Sequence, residues 1–109
     1  MDSDYTPQQV AERLRTGARV QLIDVREDDE YAAGRIAAAR HIPLGRLTSE
    51  VQTIDSDREI VFYCRSGARS AMATEAFAGA GFDAHNMSGG LLEWSAAGLP
   101  LEPDDGHVA

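Results

Sequence analysis

Short runs of branched and aromatic residues alternate with helix-patterned segments along the chain, and this alternation restricts the fold more than any other feature. The clearest run is Glu59-Ile60-Val61-Phe62-Tyr63, which leads directly into Cys64. It is short and rich in branched residues, which suits a buried strand better than a helix. Val20-Gln21-Leu22-Ile23-Asp24-Val25 reads the same way, residues 36–43 form an extended piece, and a short strand is expected over residues 84–87. Helices are expected between them. Thr6, Pro7 and Gln9 make a capping-box start, Val10 and Leu14 share one face, and Gly17 ends the segment. Residues 27–33 read as a short acidic helix stopped by Gly34, and Leu47, Val51 and Ile54 recur at near-helical spacing before a polar turn over residues 55–58. An alanine-rich helix is expected from about Ser70 to Ala80 with Gly81 as its cap, and Leu91, Leu92 and Trp94 belong to a last helix after Ser88-Gly89-Gly90. Strands and helices in alternation, joined by short connections, imply parallel strands and right-handed crossovers. The expected class is α/β, a central parallel sheet with helices on both faces.

With 109 residues the chain fits one domain, expected over residues 1–103, with 104–109 as a short, mobile, acidic tail carrying His107. Hydrophobic residues at 43% and charged residues at 26% are ordinary globular usage, so disorder is not indicated. No apolar stretch approaches the ~20 residues of a membrane helix. A net charge of -8 has the wrong sign for neutralising phosphates, so nucleic acid is not an expected partner. The opening MDSDYTPQQV lacks the positive charge and apolar run of a secretory signal, and a lone cysteine cannot form an internal bridge. A cytoplasmic monomer is therefore expected. His41, His85 and His107 lie far apart and Cys64 has no companion cysteine, so no metal site is expected.

A strand that ends in cysteine and runs through a glycine-containing loop into a helix puts the sulfur at the carboxyl edge of a parallel sheet, where open α/β folds bind ligands. The order here is Cys64-Arg65-Ser66-Gly67-Ala68-Arg69-Ser70. The helix directs free N–H groups and its positive dipole end at the loop, a site suited to an anion. Arg65 and Arg69 add positive charge on either side, Arg69 being the better placed, and all these features favour thiolate over thiol. Gly67 supplies the backbone freedom that a loop curled around an anion requires. No histidine base is evident beside Cys64; acyl transfer by cysteine needs one, whereas a preformed thiolate attacking a sulfane sulfur does not. Asp24 and Arg26, after the first core strand, read as a structural ion pair that ties loops to the sheet edge. Trp94 reads as core, and His41 as a satisfied edge residue.

Taken together the residues resemble the rhodanese family. The match includes Leu22-Ile23-Asp24-Val25-Arg26, the acidic stretch to Glu30-Tyr31, residues 34–36, Ala39 through His41-Ile42-Pro43-Leu44, residues 60–69, Gly81-Phe82, and Ser88-Gly89-Gly90 ending in Trp94, over about Tyr5 to Leu101. This resemblance implies a sulfurtransferase that moves sulfane sulfur from a small anionic donor such as thiosulfate to cyanide, a thiol or a protein acceptor, through a persulfide on Cys64. It implies that the loop backbone from Arg65 through Ser66, Gly67 and Ala68 to Arg69 cradles the transferred group, that Ser70 begins the supporting helix, and that no cofactor is needed. The loop from Cys64 to Arg69 has six residues, similar to the sulfurtransferase members, whereas the related phosphatases and arsenate reductases carry a longer one. Those enzymes, and a docking or sulfur-relay module with little turnover, are the alternatives. Gly34-Arg35-Ile36 stands where the family commonly has Gly-His-Ile.

Overall fold

The computed structural model describes residues 4–109. Four parallel strands, β1 (Gln21–Asp24), β2 (Arg40–His41), β3 (Ile60–Tyr63) and β4 (Ala84–Asn86), form one sheet in the order β2-β1-β3-β4. Five helices accompany them: α1 (Pro7–Arg15), α2 (Asp28–Ala33), α3 (Leu47–Glu50), α4 (Ala68–Gly79) and α5 (Gly90–Ala96). β3 lies inside the sheet, pairing Leu22 with Val61 on one side and Val61 with His85 on the other. All four of its residues are buried.

Because side chains alternate across a strand, β3 feeds two separate cores. Ile60, Phe62 and Cys64 point to one face, where they pack with Ile23, Leu47, Ile54, Ala73 and Phe77. Phe62 meets the Phe77 ring edge-on at 5.0 Å, and Phe77 meets Phe82 at 4.9 Å. Val61 and Tyr63 point to the other face, with Val10, Leu22, Leu91 and Trp94. Helices α3 and α4 therefore cover one side, α1 and α5 the other. The Trp94 indole, buried, donates to Pro100 O at 2.8 Å. Among the described residues no helix is long and apolar enough to cross a membrane.

Several boundaries differ from the sequence expectation. The Thr6–Gln9 capping box forms in both directions. Residues 36–43 are extended only in part: Ala39 N–H donates to Ile36 O to close a turn, and just Arg40–His41 pair as a strand. The stretch expected as one helix around Leu47 is α3 between two short 3-10 turns, Leu44–Arg46 and Val51–Thr53. Helix α4 starts at Ala68, earlier than the expected Ser70, because Gly67 takes a left-handed φ of 106° at the cap. That places Arg69 and Ser70 inside the first turn. Gly34 ends α2 with an extended backbone, φ 176°, and its need for glycine is steric instead: a Cβ there would lie 2.4 Å from His107 O. Residues 104–109, expected as a tail outside the domain, touch it: His107 N–H donates to Ala33 O at 3.0 Å, and Val108 packs against the α1/α5 core.

Candidate active site

Cys64 follows the last residue of β3 and is 1% exposed. Its own carbonyl and that of Arg65 are held by the start of α5, through Leu91 N–H (2.9 Å) and Leu92 N–H (3.0 Å). This approach requires glycine at position 90, where φ is 61° and a Cβ would sit 2.5 Å from Arg65 O. The Ser88-Gly89-Gly90 turn, read from sequence as a connection only, is thus what seats the loop against the sheet end.

From this anchorage the chain turns back over the sulfur. Gly67 N–H donates to Cys64 Sγ at 3.1 Å, and the Ser70 hydroxyl lies 3.4 Å from it. Burial pushes the thiol up, but the Ser70 hydroxyl and the N–H groups of Ser70, Gly67 and Ser66 outweigh it, and the net effect holds Cys64 below the ordinary thiol range. All these donors belong to the loop and the first turn of α4, where free N–H groups and the dipole favour an anion.

The arginines contribute differently from expectation. Arg69 forms a two-pronged pair with Glu30 of α2, Nη1 to Oε1 at 2.8 Å and Nη2 to Oε2 at 2.9 Å, and makes no hydrogen bond to the sulfur. Its charge still acts on Cys64 through space. The pairing holds the Glu30 carboxyl down at about 2. Arg65 is exposed, with Nε donating to Ala109 O at 2.9 Å. Ser66 and Ala68 are exposed, so the solvent side of the loop offers Arg65, Ser66, Ala68 and the partly exposed Arg69–Glu30 pair.

Asp24 and Arg26 are fully buried and meet in a fork, Nε to Oδ1 at 3.0 Å and Nη2 to Oδ2 at 2.7 Å. Arg26 also donates to Glu30 O at 3.2 Å and Gly34 O at 2.7 Å, which fixes the middle of α2 and its C-terminal cap beside the sheet. His41 stacks on Tyr31 at 4.2 Å and its Nε2 pairs with Arg26 O at 2.7 Å. Arg35, at the position of the family's usual histidine, lies over the other residue of that stack, its guanidinium 4.9 Å from the Tyr31 ring.

Two further arrangements escaped the sequence reading. Glu59, Asp83 and His85 bring their ligand atoms within 4.8 Å of one another, although their spacing suggests no metal site. Arg13 lies 3.5 Å from Glu59 and offsets the negative charge there. Closer to the sulfur, Asn86 at the end of β4 donates through Nδ2 to Gly67 O at 3.3 Å. Neither Glu30 nor Asn86 carries a local sequence signal, because each meets the loop only through the tertiary fold.

Comparison with known proteins gives a consistent picture. The sequence profile of the rhodanese-like domain matches residues 6–97. A protein of Allochromatium vinosum named sulfurtransferase is 33% identical over 97% of this chain and 100% of its own length. An HTH-type transcriptional regulator of Mycobacterium tuberculosis, Rv0324, is 41% identical over 83% of this chain, which spans 41% of that protein. The crystal structure of a rhodanese-related protein from Thermoplasma volcanium superposes with a TM-score of 0.83 at 26% identity, covering 90% of this chain and 95% of that one.

Proposed function

We propose that this chain, which belongs to the rhodanese-like domain family and has sulfurtransferases among its relatives, carries sulfur as a persulfide on Cys64. The observation that supports this most is the environment of one sulfur: buried at the end of β3, it faces the Gly67 N–H and Ser70 hydroxyl at a helix start, with no histidine bonded to it. Such a site stabilises an anion without a general base, as attack on a sulfane sulfur requires.

In the first step the Cys64 thiolate attacks the outer sulfur of thiosulfate. A new S–S bond forms to Cys64, the donor's S–S bond breaks, and its electron pair leaves on sulfite. The terminal persulfide sulfur carries the negative charge, held by the loop N–H groups and the Ser70 hydroxyl. In the second step a nucleophile such as cyanide or a thiolate attacks that terminal sulfur, and the electron pair of the persulfide bond returns to Cys64. Arg65 at the rim attracts anionic donors, whereas the charge of Arg69 is largely matched by Glu30. Asp24 and Arg26 support the site from beneath α2.

Mass spectrometry after incubation with thiosulfate tests the first step. The expected result is a gain of one sulfur atom on Cys64, absent from Cys64→Ser and reversed by cyanide. Lack of any gain with thiosulfate would overturn the thiosulfate reading. The relative in which a similar domain occupies part of a transcriptional regulator supports a second reading, a regulatory module that accepts sulfur without rapid turnover. Stable loading of Cys64 with slow release to cyanide would favour it.

A further inference from the structure

We propose that Asn86 is a positioning residue for the loop: by engaging the Gly67 carbonyl, it reserves the Ser70 hydroxyl proton for the Cys64 sulfur. The inference deepens the reading above and rests on it in taking Cys64 as the reactive group.

Ser70 has one hydroxyl proton and two acceptors within reach, Gly67 O at 3.2 Å and Cys64 Sγ at 3.4 Å. It cannot serve both at once. A carbonyl oxygen has two lone pairs, and two other donors already approach Gly67 O: Ala71 N–H at 3.0 Å, as part of α4, and Asn86 Nδ2 at 3.3 Å. With that carbonyl filled, the hydroxyl proton is worth most on the sulfur, where the charge is. Asn86 is therefore one residue removed from the chemistry. It touches Gly67, whose N–H donates to the sulfur, and it frees Ser70 to do the same.

Its burial argues that this contact is selected for reactivity and not for stability. Asn86 is 5% exposed, and its Oδ1 has no hydrogen-bond partner among the described residues. A buried unpartnered amide oxygen destabilises the fold. Turning the amide over would set Oδ1 against Gly67 O, two acceptors face to face, so the observed orientation is the one the carbonyl dictates. A leucine would avoid the orphaned oxygen, and Gly67 O would keep Ala71 N–H and gain the Ser70 hydroxyl. The charged groups around the loop lie outside this chain of contacts: Arg65, Arg69 paired with Glu30, Glu27 at the N-cap of α2, and the Asp24–Arg26 pair.

The test is a double-mutant cycle on Asn86→Leu and Ser70→Ala, read as the pH midpoint and rate of Cys64 alkylation by iodoacetamide, with thermal unfolding in parallel. Asn86→Leu should raise the midpoint in the same direction as Ser70→Ala and no further. At a pH below the wild-type midpoint the alkylation rate should fall by up to about tenfold, the loss of one charge-assisted hydrogen bond. In the Ser70→Ala background the same substitution should leave the midpoint unchanged, and the melting temperature should hold. A midpoint that Asn86→Leu does not move, or moves equally in both backgrounds, overturns the proposal. Should Asn86→Leu fail to fold, Asn86→Ala gives the same reading with the same outcomes. Alkylation does not require a sulfur donor, so failure of thiosulfate to load Cys64 would sink the persulfide reading and leave this result standing.

Discussion

At the scale of single residues, Cys64 is under opposing pressures, and their sign can be measured. Burial alone would raise the thiol above its ordinary range, since a charged sulfur loses its water. The Ser70 hydroxyl and the loop N–H groups lie within contact distance and reverse that effect. In the protein without bound sulfur, the midpoint of Cys64 alkylation should therefore fall below the ~8.5 of a free cysteine. Added salt should move it little, because these donors touch the sulfur, whereas exposed charges are screened over roughly 8 Å at physiological ionic strength. Ser70→Ala should raise the midpoint more than Arg69→Ala, whose charge is largely matched by Glu30. A wild-type midpoint at or above that of free cysteine would remove the electrostatic basis of the mechanism. Cys64 itself was legible in the sequence, because a strand ending in cysteine before a glycine loop fixes its location. The donors were legible in part: Gly67 and Ser70 follow within one turn, whereas Glu30 lies 39 positions from Arg69 and redirects it.

Among elements, the join between β1 and α2 shows how a buried charge can organise a site it does not touch. Arg26 spends its fork on Asp24 and its remaining donor capacity on the carbonyls of Glu30 and Gly34. Glu30, held there by its backbone, then presents its carboxylate to Arg69 on α4. Breaking a fully buried pair from one side strands the other charge, at a cost of about 3 to 5 kcal/mol. Arg26→Met should therefore destabilise the domain by roughly that amount in urea titration, and sulfur transfer should fall with it. A loss below about 1 kcal/mol would show that Asp24 finds another partner. The sequence placed Asp24 and Arg26 at this sheet edge because both follow a recognisable strand. It misplaced the start of α4, since a left-handed glycine at the cap reads locally as loop. It placed Gly34 at the end of α2 but not the reason for glycine there, since that constraint comes from His107, a residue distant in sequence.

For the molecule as a whole, the response to acid combines a general effect with a specific one, and a single substitution separates them. At neutral pH the net charge of -8 disfavours compactness; protonating exposed carboxylates first relieves that repulsion and then, because 10 Lys and Arg remain charged against 18 Asp and Glu, replaces it with repulsion between positive charges, in every variant alike. Glu30 adds an effect of its own. Its carboxyl ionises at about 2 in the folded protein against an ordinary 4.5, first because of the hydrogen bonds from Arg69, which prevail over partial burial. A depressed folded value means that the pair adds stability above the unfolded value and that this stability is lost as pH falls through the folded one. The shift sets an upper limit of about 3 kcal/mol, and the partly exposed Arg69 side of the pair lowers the expected figure to about 1 to 2 kcal/mol. Glu30→Gln cannot be ionised and retains the shape. The stability difference between wild type and Glu30→Gln, from urea titrations across the range, should be constant above pH 5 and shrink steadily from about pH 4.5 towards pH 2. The general change in net charge is nearly common to both proteins and largely cancels in that difference. A difference that stays level down to pH 2 would mean that the Arg69 pair does not hold Glu30 ionised, and the tie from α2 to the active loop would lose its electrostatic support.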